Sequence, residues 1–237
     1  MKTFSYLIAL MISVNVLAAK PEVVEAPVDH VFIPRGFDNN DRVEVTVTGN
    51  FPNPCYTKNK YDINITGQTI KISLTSIFMD DPAYTKCEPL KIPFTEVVTL
   101  GNLQGGKYNV VINQGGTYQI NDSMVVGEAQ SQSMDDNIYA LVEYIDSGVT
   151  GQATGEAILI ARTPSPCLVL DRVEYLSNNK DTLSILPIMK RISTNCADVT
   201  EVIRIPISYD PTKFSSDRIL MYARTLDGGS VQRILSK

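Results

Sequence analysis

NFPNPC (residues 50–55) and RTPSPC (residues 162–167) place the same punctuation twice in one chain of 237 residues. Each cysteine is followed by another some thirty positions on, Cys87 after Cys55 and Cys196 after Cys167. Proline fixes its own φ and holds the residue before it extended. P-x-P-C therefore ends one strand, carries the chain across in extended form and delivers a cysteine to the next segment. A unit used twice explains the pattern: one domain over residues 20–127 and another over 138–237. Between them the polar, unperiodic GEAQSQSMDDN at 127–137 places a linker at 128–137. Each half, at roughly 105 residues, is large enough for its own core. A polar linker predicts two separable halves with few contacts between them.

Outward from the two motifs, the dominant period is two. Val43, Val45 and Val47 alternate with Arg42, Glu44 and Thr46; Ile70, Ile72 and Leu74 alternate with Lys71 and Ser73. Strict alternation means strands with one buried and one wet face, as antiparallel sheets have. TGQT (66–69), Gly115-Gly116, Asn178–Asp181 and Asp227-Gly228-Gly229 read as hairpin turns, as do Gly105-Gly106. Ile92-Pro93-Phe94 after Cys87 reads as the counterpart of Ile205-Pro206-Ile207 after Cys196, with both prolines on an edge or at a bulge. Short strands parted by turn residues every eight to twelve positions predict an all-β chain of two tandem sandwiches.

The first residues stand apart. Lys2, an apolar run from Phe4 to Leu17 and small Ala18 have the grammar of a cleaved signal peptide over residues 1–19. The run is shorter than the roughly 20 apolar residues of a spanning helix, so no transmembrane segment is expected in the mature chain. An exported, periplasmic or secreted protein meets an oxidising compartment, where disulfides persist. Four cysteines allow three pairings, and the repeat selects Cys55–Cys87 and Cys167–Cys196. Zinc is disfavoured, because structural sites draw on close C-x₂₋₄-C pairs that this chain lacks.

The double P-x-P-C, each with its partner cysteine, resembles exported bacterial Ig-like or fibronectin-type sandwich modules. The resemblance spans nearly the whole mature chain as a pattern. The buried Trp and long Cys-to-Cys spacing of antibody domains are missing. The resemblance implies binding or spacing and brings no catalytic residue.

The chemistry-bearing residues are few. His30 is the only histidine, there is no Trp, and no G-x-S-x-G motif occurs; His30 reads as a surface or strand-end residue. Asp38-Asn39-Asn40-Asp41 could offer oxygens to calcium but lacks EF-hand spacing and reads as a solvated turn, as does Asp80-Asp81-Pro82. No cofactor is expected. The formal charge of −5 excludes a sequence-independent nucleic-acid binder, which needs a basic face.

One asymmetry stands out. The first half holds Arg35 and Arg42; the second holds Arg162, Arg172, Arg191, Arg204, Arg218, Arg224 and Arg233. Arginine favours interfaces, so Arg204 and Arg224 together are expected to form a partner-contacting sheet face. The sequence thus points to a non-enzymatic exported binding or adhesion protein whose partner is an envelope or surface protein or glycan. The competing expectation is a structural or assembly component of the envelope, a spacer or a periplasmic chaperone.

Overall fold

The computed structural model describes residues 20–79, 86–148, 151–196 and 199–237. The signal peptide expected over 1–19 and the turn expected at Asp80-Asp81-Pro82 lie outside the described residues. Within them the chain is all-β, with no α-helix, and its strands fall into two series of eight. The first comprises β1 (Glu22–Glu25), β2 (Val28–Phe32), β3 (Val43–Phe51), β4 (Tyr56–Thr66), β5 (Thr69–Phe78), β6 (Ile92–Gly101), β7 (Gly106–Ile112) and β8 (Ile120–Val126). The second comprises β9 (Ile138–Tyr139), β10 (Leu141–Asp146), β11 (Glu156–Arg162), β12 (Leu168–Ser177), β13 (Thr182–Arg191), β14 (Val202–Ser208), β15 (Arg218–Thr225) and β16 (Gly229–Ser236).

Every strand of the first series has its counterpart eight strands on. Sheet β4–β5–β7–β8 faces sheet β2–β3–β6, and sheet β12–β13–β15–β16 faces sheet β10–β11–β14. One pair in each series, β5 with β7 and β13 with β15, is parallel. The chain therefore crosses from one sheet to the other at Gly105-Gly106 instead of turning a hairpin there. The other expected turns each join an antiparallel pair. A one-residue bulge recurs in the long hairpins, between Lys58 and Tyr61 in β4 and between Leu170 and Arg172 in β12. Extra residues placed alike are built features.

The two P-x-P-C segments do the same work. Asn53 Oδ1 accepts from the Cys55 amide and Ser165 Oγ from the Cys167 amide. Both disulfides form as the repeat required, Cys55–Cys87 and Cys167–Cys196. The proline correspondence does not hold. Counted from P-x-P-C, Asn50 matches Arg162; Asn50 faces Pro93, whereas Arg162 faces Val202. Pro93 and Val202 each lie six residues past the second cysteine. Pro206, opposite Ile158, takes the place of Val97, opposite Thr46. Both prolines do sit on edge strands, where a missing N–H costs no ladder bond.

The first strand of each series switches sheets at an alanine. The Ala26 amide donates to Leu74 O, and the Ala140 amide to Pro187 O. Buried Asn113, at φ 49°, donates to Ala26 O and accepts from the Leu74 amide. In the second series Thr225 Oγ1 donates to Ala140 O, and Pro187 stands where Leu74 stood. Pro187 has no N–H to satisfy; the Thr225 hydroxyl that serves this switch accepts instead from the Val142 amide at 2.8 Å.

The expectation of few contacts between the halves is not met. Each series has its own core, but Leu220 and Tyr222 of β15 pack into the core cluster of the first. On β3, Val43, Val45 and Val47 face inward, yet outward-pointing Glu44, Thr46 and Thr48 are buried too. They meet β15 and β16: Gln232 Nε2 lies 3.3 Å from Glu44 Oε1, Ser230 Oγ donates to Glu44, and Arg218 Nη1 lies 3.2 Å from Thr48 Oγ1. Thr46 Oγ1 bonds Gln232 Oε1. The stack is thus four sheets deep, with β2–β3–β6 against β12–β13–β15–β16 as its middle seam. Side chains the size of Leu220 and Tyr222 gain roughly 1.5–3 kcal/mol each when fully buried. Thermal unfolding of the intact, oxidised chain should be a single calorimetric transition. Tyr222→Ala should cost about 3–5 kcal/mol and split it into two; a single unshifted transition in the variant would contradict the seam.

Candidate functional site

Two places combine charged groups with unusual surroundings: the end of the seam around Arg224, and the outer face of sheet β10–β11–β14 that carries Arg204. The expectation that these arginines share an exposed face fails. Arg224 lies on the seam side of β15 and is 3% exposed. Arg204 lies on β14 with its neighbours Ile203 and Ile205 turned inward.

Arg224 grips carboxylates, but those of its own chain. Its Nη1 donates to Asp41 Oδ2 (2.8 Å) and to Gly36 O (3.1 Å), and its Nη2 lies against Asp41 Oδ1 and donates to Asp135 Oδ1 (2.8 Å). The guanidinium also sits over the rings of Phe37 and Tyr139. Gly36 fits this approach because its φ is +91° and a Cβ there would meet Leu176 Cδ1 at 2.6 Å. Burial opposes the charge on Arg224, but Asp41 outweighs it and holds the guanidinium above its ordinary range. The segment expected to be a free linker is tied down here. Asp135 pairs with Arg224, and Asn40 Nδ2 donates to Asp136 Oδ1 and Ser131 O. Burial first, then the charges of Asp41 and Asp136, raise the Asp38 carboxyl to about 6; burial also raises Asp135 to about 6 against the pull of Arg224.

Asp38–Asp41 is therefore a clamp loop. Its backbone is closed by the Asp38 amide on Asp41 Oδ2 and by Asn102 Nδ2 on the Asn40 and Asp41 carbonyls. Among the described residues no three His, Cys, Asp or Glu side chains are grouped to hold a metal ion. His30 is likewise a seam residue: Nε2 is 2.8 Å from Asp181 Oδ2. Burial would raise the Asp181 carboxyl, but hydrogen bonds from His30, Asn178 and Thr182 win and hold it below its ordinary value.

The second place is open. On β10–β11–β14 three cross-strand rows face outward: Leu141–Arg162–Val202, Tyr144–Ile160–Arg204 and Asp146–Ile158–Pro206. Val202 is 56% and Tyr144 49% exposed, while Ile160 in the centre is 4% exposed. Arg162 is neutralised by Glu143, Nε to Oε1 at 2.5 Å. Among the described residues Arg204 makes no ion pair, and its neighbours on this face are Ile160, Val202 and Pro206. One end of the face runs into a groove of about 840 Å³ lined by Asp146, Ile158, Tyr175 and Pro206. A smaller groove of about 280 Å³ in the first sandwich, floored by Phe51, Tyr61, Leu74 and Phe94, is bridged at its mouth by Lys58, which reaches Thr95 O and Glu96.

Residues 45–123, all within the first series, match the model of a family described as the ORF11 beta-sandwich domain. No curated protein and no solved structure matches the chain.

Two outcomes follow from the clamp. Arg224→Met leaves Asp41 buried without its cation, so stability in urea should fall by about 3–5 kcal/mol; a loss under 1 kcal/mol would show the pair to be incidental. The raised Asp38 and Asp135 carboxyls bind a proton more tightly folded than unfolded. Their stabilising contribution is full below about pH 4 and is lost as pH rises through about 6. Asp38→Asn should thus raise the melting temperature at pH 7.5 and flatten the wild-type gain between pH 7 and 5. A variant that melts lower at pH 7.5 would contradict this.

Proposed function

We propose that the protein is a non-enzymatic exported binding protein that docks another protein on the outer face of β10–β11–β14. One observation carries this reading. The matching face of the first sandwich, on β2–β3–β6, is covered by the second sandwich although it presents Glu44, Thr46 and Thr48. In the second sandwich the corresponding positions on β11 are Glu156, Ile158 and Ile160; Glu156 and Ile158 are exposed, and Ile160 between the flanking strands is 4% exposed. A face more apolar than its buried twin, flanked by an arginine, has the makeup of a protein interface core.

Two features support the rest of the proposal. The paired disulfides suit an oxidising compartment, periplasmic or extracellular. The one histidine is committed to Asp181 in the seam, which favours a structural over a catalytic use. A spacer or assembly role in the envelope is the second reading, favoured by the seam, which joins two sandwiches into one stiff stack.

The test is affinity capture with the immobilised mature chain, identifying what is retained, additional copies of the chain included. Ile158→Glu with Val202→Glu should remove the retained protein while leaving the melting temperature within a few degrees. Unchanged capture by the double variant would place the binding site elsewhere.

A further inference from the structure

We propose that the outer face of β10–β11–β14 is completed by the same face of a second copy of this chain, packed about a two-fold axis running along β11. This rests on the docking-surface reading above and names its occupant.

The seam inside the chain shows how such a face is covered, by another sheet of the same kind. A second copy has two sheet faces that could be offered. The outer face of β4–β5–β7–β8 is the twin of the seam surface on β12–β13–β15–β16. By the parallel registers, Asn109 stands where Leu220 does, Val111 where Tyr222 does and Lys71 where Ser184 does. Burying Asn109 and Lys71 against Ile158 and Ile160 would strand polar groups without partners. Head-to-tail stacking, which would run on into an open filament, is therefore disfavoured.

The β10–β11–β14 face suits itself. Its acids lie on one flank, Glu143 and Asp146 on β10, and Arg204, which makes no ion pair among the described residues, lies on the other flank, β14. A two-fold axis along the central strand lays β10 of each copy over β14 of the other. Ile158, 36% exposed, then meets Ile158. Arg204 comes over Tyr144 of the second copy, a cation–π arrangement, with Asp146 one row away. Aligned sheets pack with a rotation near 30°, which shifts Arg204 along that flank without moving it off. Arg162 keeps its own Glu143, so the axis brings no bare like charges together.

The face is small. Three strands about 4.8 Å apart and six residues about 3.4 Å apart span roughly 14 by 20 Å. That is short of the ~800 Å² per partner of a standard interface, so the pair should form at micromolar rather than nanomolar concentrations.

The test places a photo-crosslinker on the face, Tyr144→p-benzoylphenylalanine, in cells producing the disulfide-bonded chain. The expected adduct has twice the mass of the chain and is lost in Arg204→Glu. Asp146→Arg combined with Arg204→Glu should restore it, because the flanks are then exchanged. Sedimentation of the purified chain should show a monomer–dimer equilibrium, weakened at least tenfold by Arg204→Glu alone. An adduct with a different protein would overturn the second copy as occupant and leave the docking surface standing. No adduct of any kind, with a monomer at all concentrations, would overturn both.

Discussion

A single strand buried on both sides organises the molecule. The valines of β3 face the first core, and its Glu44, Thr46 and Thr48 face the second sandwich. A three-stranded sheet can bury both faces only if something covers its outer side, and here β15 and β16 do so. β15 answers in kind: Ile219, Met221 and Ala223 face the second core, while Leu220, Tyr222 and Arg224 face the seam. The polar groups this traps are satisfied across the seam, Glu44 by Ser230 and Gln232, Asp41 and Asp135 by Arg224, Asp181 by His30. Buried polar groups cost free energy unless bonded; these pairings fix one register of the two sandwiches.

The two copies of the unit have diverged where their neighbours differ. At one sheet switch Asn113 bonds Ala26 O and the Leu74 amide; at the other, where Pro187 has no N–H, Thr225 Oγ1 bonds Ala140 O and accepts from the Val142 amide. The same logic separates the two outermost faces. The face on β4–β5–β7–β8 carries Lys71, Ser73 and Asn109, with Val125 exposed on β8 at its margin. The face on β10–β11–β14 keeps Ile158, Ile160 and Val202. In stacked arrays a terminal unit with a polar outer face closes the stack; only one end of this stack is closed in that way.

The doubled P-x-P-C motif made the disulfides, the strand-rich sandwich and most of the turns legible. Three things escaped it. Pro93 and Pro206 look equivalent by eye, but ladder register, set by spacing from Cys87 and Cys196, decides equivalence. The seam escaped because alternation reports only whether a strand has one apolar face: Thr46 and Glu44 read as wet. The signal lay on the other partner, in RILMYA (218–223) and LSILPI (183–188), near-continuous apolar runs that mark strands covered on both sides. Arg224 escaped because an arginine count cannot say which face a side chain takes, whereas its position directly after the RILMYA run, two residues past Tyr222, already pointed to burial. Arg204, opposite Ile203 and Ile205, was legible for the converse reason.

Thr46 and Ile158 occupy matching positions in the two sandwiches, one beneath the seam and one on the open face. No described cysteine is free, so a single introduced thiol can be followed at each. The direct measurement is the rate of maleimide labelling of Thr46→Cys and Ile158→Cys in dilute, folded, oxidised protein. The account predicts that the thiol at 158 labels at nearly the rate of an unfolded chain, while the thiol at 46 labels only as fast as the whole stack opens. Equal, rapid labelling at both positions would mean that the sandwiches do not share a seam, and protection at 158 in the dilute monomer would mean that the open face is not open.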